Sequence, residues 1–168
     1  MYVVTFLSAI KIIYLKMKTN SEKNTAASIH LSAFTQYFFP FGNFIFPIII
    51  MWASKKKESE FVDYNGKNLL NFQLSVLLYS LVLLAVMVVV VLGFVFNNIP
   101  LEVVMRQDVF SVSNLDLSQN ITWITIGLVA VLLLACLKIL EFFLLLYAAV
   151  KTSDGVRFKY PITVAFIK

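Results

Sequence analysis

Residues 69–96 read LLNFQLSVLLYSLVLLAVMVVVVLGFVF and contain no charged side chain. As an α-helix this run would be about 42 Å long, and the hydrocarbon core of a bilayer is about 30 Å thick. A second such run is 121–150, ITWITIGLVAVLLLACLKILEFFLLLYAAV, and a third apolar region is 28–52, SIHLSAFTQYFFPFGNFIFPIIIMW. The sequence therefore predicts an all-α, polytopic membrane domain with about three membrane segments.

The composition agrees with a membrane protein. Of its 168 residues, 60% are hydrophobic and 14% are charged, whereas soluble domains are about half apolar and a quarter charged. The net charge of +5 comes from lysines that flank the apolar runs, which indicates topology and lipid headgroups, not nucleic acid. With Cys136 the only cysteine and His30 the only histidine, an intramolecular disulfide and a Cys/His metal cluster are excluded.

The first apolar region, 28–52, is interrupted. Pro40, Gly42, Asn43 and Pro47 fall inside it, and proline removes a backbone hydrogen bond from a helix. In lipid the freed carbonyls need partners in protein or water. The region is therefore predicted to be either a kinked helix packed against its neighbours or a re-entrant pair of half-helices.

Residues 1–27 are predicted to be an N-terminal extension of the membrane domain, 28–168. The apolar part of the extension, 3–15, is shorter than the roughly 20 residues that a spanning helix needs. Two interpretations stay open: Met17 is the true start of the protein, or the first 16 residues form an interfacial segment.

The basic residues predict the orientation. The link between the first two segments and the C-terminal tail, 151–168, each carry four basic residues, whereas the loop 97–120 carries only Arg106. The positive-inside rule places the link and the C-terminus in the cytoplasm and the loop outside. Three straight spans would put the N-terminus outside, and a re-entrant first segment would keep it inside; three spans are the expectation here.

Four stretches carry a family resemblance: HLSAF at 30–34, PFGNFIFPIIIMW at 40–52, FVDYNGKNLLNFQLSVLLY at 61–79 and YPITVAFIK at 160–168. They resemble a bacterial membrane domain family of unknown function that is distantly related to the twenty-kilodalton subunit of the chloroplast inner-envelope protein translocon (Tic). The resemblance covers about 28–168. It implies a compact helical domain of the bacterial inner membrane, no particular reaction, and protein-transport machinery as one role.

Side-chain amides stand where the second segment begins. Asn68, Asn71 and Ser75 follow at helical spacing and share one face, while Gln73 points elsewhere. An amide facing lipid would lose its hydrogen bonds, so these side chains should face protein. The expected partners are Asn43 and the carbonyls freed by the prolines of 28–52. A polar vestibule for a substrate or ion and structural contacts between helices both fit, and the structural interpretation is favoured.

Two charges lie inside the third segment. Lys138 and Glu141 are three residues apart, so they share a helix face and can pair. Ionisable groups at membrane depth are functional candidates. The first two segments offer no second acid for a proton relay, so a structural pair or a contact with another subunit is favoured.

The end of the chain is predicted to be extended. Asp154 and Gly155 form a turn signal, and apolar residues then alternate with polar ones along 156–168. This extended tail (residues 156–168) should lie along the cytoplasmic interface, with Arg157 and Lys159 at lipid headgroups. It is also predicted to pack under the amides of 67–73.

We find no nucleophile paired with a base, no phosphate-binding loop and no paired carboxylates. The sequence therefore predicts a non-enzymatic membrane subunit or assembly factor, linked through the resemblance to protein export. No cofactor, nucleic acid or small-molecule substrate is expected, and the expected partners are the lipid bilayer and another membrane protein. The alternative is a small transporter or channel in which the broken segment 28–52 lines the pore.

Overall fold

The computed structural model describes residues 20–53, 59–98 and 120–168, and every regular element within them is helical. In chain order these are α1 (Asn20–Ser32), a short 3-10 helix (Ala33–Tyr37), α2 (Gly42–Ala53), α3 (Glu60–Asn98) and α4 (Ile121–Ser153). The all-α prediction is confirmed for this part of the chain. The predictions for the first 19 residues, for the lysines of 54–58 and for most of the outer loop lie outside the described residues.

Helices α3 and α4 have the length and composition of membrane spans. They contain 39 and 33 residues, which gives about 58 and 50 Å and exceeds the hydrocarbon thickness. Their apolar windows are only 11% and 17% buried within the protein, whereas the core helix of a soluble protein would be mostly buried. Leu81, Val82 and Val89 are typical, each more than half exposed. These surfaces fit a hydrocarbon surrounding.

The region 28–52 is not a third helix of spanning length. Helices α1 and α2 have 13 and 12 residues, about 20 and 18 Å, and pack against each other. The chain reverses between them at residues 38–41, where Phe41 takes a left-handed backbone conformation with φ of 61°. The break thus falls where Pro40 and Gly42 predict it. Pro47 lies inside α2 without ending the helix.

The chain divides into two compact units. The first contains the described residues up to Ser75 together with Glu141–Lys168, and the second is Val76–Leu140. The core of the first unit is built from apolar side chains that include Ile29, Leu69 and Leu145, all with no exposed surface. Within this unit Gly66 lies directly against the side chain of Met51. A Cβ at residue 66 would overlap that side chain, so glycine permits the close approach of α2 and α3.

Helix α3 begins earlier than the sequence predicts. In the sequence, Asp63, Asn65 and Gly66 suit a turn or helix start, which predicts that the helix proper begins at Lys67, but the helix starts at Glu60. Ser59 precedes it, and the Val62 amide donates to the Ser59 hydroxyl at 3.4 Å. Glu60 and Asp63 lie in the first turn, where their negative charges interact favourably with the positive end of the helix dipole. This interaction outweighs the preference of Asn65 and Gly66 for a turn.

Helix α4 ends as predicted. The Val156 amide donates to the Lys151 carbonyl at 3.1 Å and the Gly155 amide donates to the Thr152 carbonyl at 2.9 Å. This pair of bonds is a Schellman motif, which needs a left-handed residue, and Gly155 supplies it with φ of 85°. The extended tail follows without strand pairing among the described residues, and a turn at Pro161–Ile162 interrupts its alternation.

In the second unit the parts of α3 and α4 run antiparallel. Gly93 lies against the indole ring of Trp123, and Gly127 lies against Val90. At the end of this unit, Asn98 and Asn120 exchange two amide hydrogen bonds: Asn98 donates at 2.9 Å and Asn120 donates at 2.7 Å. Small residues therefore bring the two helices together, and paired amides join them where the described helices end.

Candidate functional site

The amide of Asn71 binds the backbone of the extended tail. Its Oδ1 accepts from the amides of Phe166 and Ile167 at 3.0 and 2.7 Å, and its Nδ2 donates to the Ile167 carbonyl at 2.9 Å. A side-chain amide has the same donor and acceptor groups as a peptide unit, so Asn71 pairs with the tail as a neighbouring strand would. The predicted packing of the tail under 67–73 is present in the structure. The predicted partners of Asn71, the proline-freed carbonyls and Asn43, are wrong.

Two further side chains of α3 hold the same tail. The Val164 amide donates to the Ser75 hydroxyl at 2.9 Å, and the Phe158 amide donates to Asn65 Oδ1 at 3.1 Å. Asn65 is fully buried and its Nδ2 donates to the Phe61 carbonyl at 2.9 Å. Polar side chains along α3 therefore bind the backbone amides of the tail that a neighbouring strand would bind in a sheet.

The other side-chain amides near the start of the second apolar segment have different partners. Asn43 Nδ2 donates to Gln73 Oε1 at 2.7 Å, which joins α2 to α3 as the sequence predicts for the Asn43 side chain. Gln73 is 1% exposed, and its Nε2 has no hydrogen-bond partner among the described residues. Asn68 donates only to the Tyr64 carbonyl one turn earlier, at 2.8 Å, so it joins no two elements.

The intramembrane charges lie in different units of the chain. Glu141 belongs to the first unit and Lys138 to the second. Glu141 is 1% exposed, and Gln36 of the 3-10 helix donates to its Oε1 at 2.9 Å. Lys138 is half-buried. Gln36 is a partner of Glu141 that sequence spacing could not predict, because it lies 105 positions away.

A buried histidine–tyrosine pair ties α1 to the extended tail. His30 Nδ1 and the Tyr160 hydroxyl are 2.8 Å apart, and the two residues are 0% and 2% exposed. Burial lowers the pKa of His30 to about 4, so it is neutral near pH 7. Burial and then the charge of Glu141 raise the pKa of Tyr160. The place of His30 near the start of an apolar run predicts an interfacial or capping side chain, and this prediction is wrong because His30 is an interior side chain.

The Tyr160 ring completes this contact by stacking. It lies parallel to Phe72, with centroids 4.2 Å apart and 7° between the ring planes. Phe158 meets it edge-on at 4.9 Å. Offset aromatic pairs of this kind add about 0.5–1.5 kcal/mol beyond area burial. The stacking makes Tyr160 the principal anchor of the tail, and the alternating pattern that predicts an extended chain does not single it out.

A charged groove lies between the first turns of α3 and the extended tail. Its volume is about 490 Å³. The lining residues come from both elements: Glu60, Asp63, Tyr64, Lys67, Asn68, Asn71, Arg157, Lys159, Ala165, Ile167 and Lys168. Both residues predicted at lipid headgroups, Arg157 and Lys159, are among them.

Several polar contacts could not be found from the sequence. Asn65, Tyr160, Asn98 and Asn120 all make buried or partly buried contacts, and their only signal is that they are polar residues beside apolar runs.

Within 20–53, 59–98 and 120–168, no three His, Cys, Asp or Glu side chains come together as a metal site would require. The polar groups of the first unit mainly bind one another, which joins helices and tail.

Long helices with exposed apolar side chains and a polar-bonded interior are the features of a small helical integral membrane protein. Residues 21–167 match the magnetosome magnetite crystal formation protein family (MamF/MmsF), and the chain belongs to that family. No curated protein sequence matches the chain significantly. No solved structure does so either.

The family match corrects the resemblance drawn from the sequence. The chain belongs to the magnetite crystal formation family, so its assignment to a family related to the chloroplast translocon is wrong. The stretches that carried that resemblance are mostly apolar residues with proline and glycine breaks. Such patterns recur in unrelated membrane domains because the bilayer imposes them. The link to protein export rested on the same resemblance and has no support from the match.

Proposed function

We propose that this chain is a non-enzymatic, structural component of the magnetosome membrane that takes part in magnetite crystal formation. The observation that carries the proposal is the family match over 21–167. Two helices of spanning length with outward apolar side chains support placement in a membrane. The protein would act there through its surfaces and its partners in the membrane.

The polar interior supports a structural role. A transporter of the kind considered from the sequence would line a hydrated path with Asn43, Asn71 and Lys138. The Asn43 amide instead bonds Gln73, and the Asn71 amide bonds the tail. Amides that bond protein groups are typical of contacts between membrane helices.

The topology that we propose is a two-span hairpin with a re-entrant first region. Because His30 of α1 contacts Tyr160 of the tail, α1 would lie on the same side as the C-terminus. Lysines and Arg157 around the tail place that side in the cytoplasm by the positive-inside rule. The loop that follows α3 would then lie on the opposite face of the membrane.

The proposal is tested in a magnetosome-forming bacterium that encodes this chain. We expect a tagged copy to fractionate with magnetite-containing vesicles and a deletion strain to form crystals of altered number, size or shape. Unchanged crystals in the deletion strain, with the tagged copy spread through the bulk inner membrane, would refute it. Proteoliposomes of the purified chain should show no iron flux above empty liposomes, and a clear flux would favour the transporter alternative.

A further inference from the structure

The groove between α3 and the extended tail has an excess of positive charge. Four basic side chains and two acidic ones line it. Arg157 pairs with Glu60 at 3.2 Å and Lys67 pairs with Asp63 at 2.8 Å. Neither Lys159 nor Lys168 pairs with a side-chain carboxylate among the described residues. Because the two acidic side chains are already matched, the excess of positive side-chain charge falls on these two lysines.

The guanidinium of Arg157 is held in place at the groove. It lies over the Tyr64 ring, 5.3 Å from the centroid, while one terminal nitrogen bonds Glu60. A guanidinium carries five N–H donors, so further donors remain for an anion. Arginine and lysine donors around one open volume suit phosphate oxygens, which accept several charge-assisted hydrogen bonds at once.

The position of the groove along α3 indicates which kind of molecule carries the phosphate. Lys67 is the last charged residue of this helix, and the apolar run begins at Leu69. The groove therefore lies where the chain leaves the aqueous side and enters the hydrocarbon, which is the depth of lipid phosphates. Asn71, which lines the groove, also fixes the tail backbone, so the basic side chains of both elements are held together.

We infer that this groove binds the phosphate group of an anionic lipid headgroup. Lys159, Lys168 and Arg157 donate to the phosphate oxygens, and the tail is the element that brings these donors to α3. The site depends on the docked tail and does not depend on the proposed role in crystal formation.

The test uses the full chain in a mild non-ionic detergent. Binding of dioctanoyl phosphatidic acid is measured by calorimetry and compared with dioctanoyl phosphatidylcholine, whose headgroup has no net charge because the choline cation balances the phosphate. The double variant Lys159→Ala/Lys168→Ala removes the unmatched lysines. The matched control is Lys151→Ala, which removes a positive charge that lies over the Tyr147 ring and outside the groove.

We expect phosphatidic acid to bind more tightly than phosphatidylcholine. Each groove lysine should contribute about fivefold in affinity, so the double variant should lose roughly 25-fold while Lys151→Ala stays within about twofold of the parent. Equal binding of both lipids, or an equal loss in the control variant, would overturn the site. Thermal unfolding of each variant without lipid separates a lost site from a lost fold.

A third arm separates lipid from free anion. Sodium phosphate is titrated alone and in competition with phosphatidic acid at constant ionic strength. Weak or absent binding of inorganic phosphate supports a lipid site, because the acyl chains then contribute. If phosphate binds as tightly as the lipid and depends on the same lysines, the assignment to a lipid is overturned and the groove is a soluble-anion site.

Discussion

Asn71 binds both backbone groups of Ile167: its Nδ2 donates to the Ile167 carbonyl at 2.9 Å and its Oδ1 accepts from the Ile167 amide at 2.7 Å. With the bond from Phe166, one side chain satisfies three backbone groups of a segment that has no strand partner in the described part of the chain. Each such bond contributes about 1 kcal/mol. The contact explains why an amide stands where an apolar helix could have used leucine.

Asn71→Leu should therefore release the end of the tail. We expect the free energy of unfolding to fall by about 2–3 kcal/mol, because three backbone groups lose their partner. Hydrogen exchange at 164–167 should become faster. The matched control is Asn68→Leu, which loses only a bond to the Tyr64 carbonyl within α3. Equal effects of the two variants on stability and exchange would contradict this account.

The Tyr160 hydroxyl and ring can be separated by two variants. Tyr160→Phe removes the contact with His30 Nδ1 and keeps the stack on Phe72, so it should cost about 1 kcal/mol of stability. Tyr160→Ala also empties the ring's place in the core and should cost about 3–5 kcal/mol. Thermal unfolding in detergent measures both. If Tyr160→Phe were as damaging as Tyr160→Ala, the ring stack would not be the main anchor.

The Asn43–Gln73 bond is suited to a double-mutant cycle. Asn43→Leu, Gln73→Leu and the double variant should give a coupling energy of about 0.6 kcal/mol, and no more than about 1.7, as for other hydrogen bonds between membrane helices. The Gln73 side chain is almost fully buried, so solvent screening is small. A coupling indistinguishable from zero would mean that the bond at 2.7 Å contributes nothing to the packing of α2 on α3.

The sequence was informative wherever a local rule decides the structure. Length and hydropathy predict the two spanning helices, Gly155 predicts the end of α4, and alternation predicts an extended tail. The start of α3 was predicted incorrectly because Asp63 and Asn65 also suit a turn, and the cap at Ser59 gives no stronger signal.

Contacts between distant residues were predictable only as types. Buried amides must find partners, but which partner depends on packing that spacing does not encode. Gln73 accepts a hydrogen bond from Asn43, as expected. Asn71 instead binds the backbone of the tail, and Glu141 accepts from Gln36. The region 28–52 reads as one span by length, yet the reversal at Phe41 divides it into helices too short to cross.

Acid should destabilise the protein through His30. Burial lowers the pKa of this side chain from its usual 6.5 to about 4, so between these values the unfolded chain binds a proton that the folded chain does not. Stability should fall as the pH drops through this window, by up to about 3 kcal/mol, and should not change through His30 above pH 6.5.

The measurement is the thermal midpoint in detergent between pH 7.5 and 4.5, for the parent and for His30→Gln. The variant loses its own titration, so its midpoint should fall less steeply with acid, whatever its absolute stability. The two proteins have the same carboxylates, so the contribution of these groups is common to both profiles. Parallel pH profiles would show that His30 is not responsible.

The orientation of the chain can be read from three single cysteines placed in a Cys136→Ser background. Ser113 lies in the outer loop of the proposed topology, and Ser153 ends α4 on an exposed surface. Residue 59 is left out as a labelling site for the proposed cytoplasmic side, because Ser59 is only 8% exposed and caps α3. Asn24 is exposed on α1, so it reports whether the region before α2 has crossed the membrane.

In intact spheroplasts an impermeant maleimide should label the cysteine at residue 113 and spare those at 153 and 24. After permeabilisation, all three should react, which shows that each site is accessible. The expectation follows from four basic residues in 151–168 against Arg106 alone in the loop, and from the contact between α1 and the tail through His30 and Tyr160. Labelling at 24 together with 113 would restore the three-span topology, and labelling at 24 and 153 without 113 would invert the proposed two-span topology.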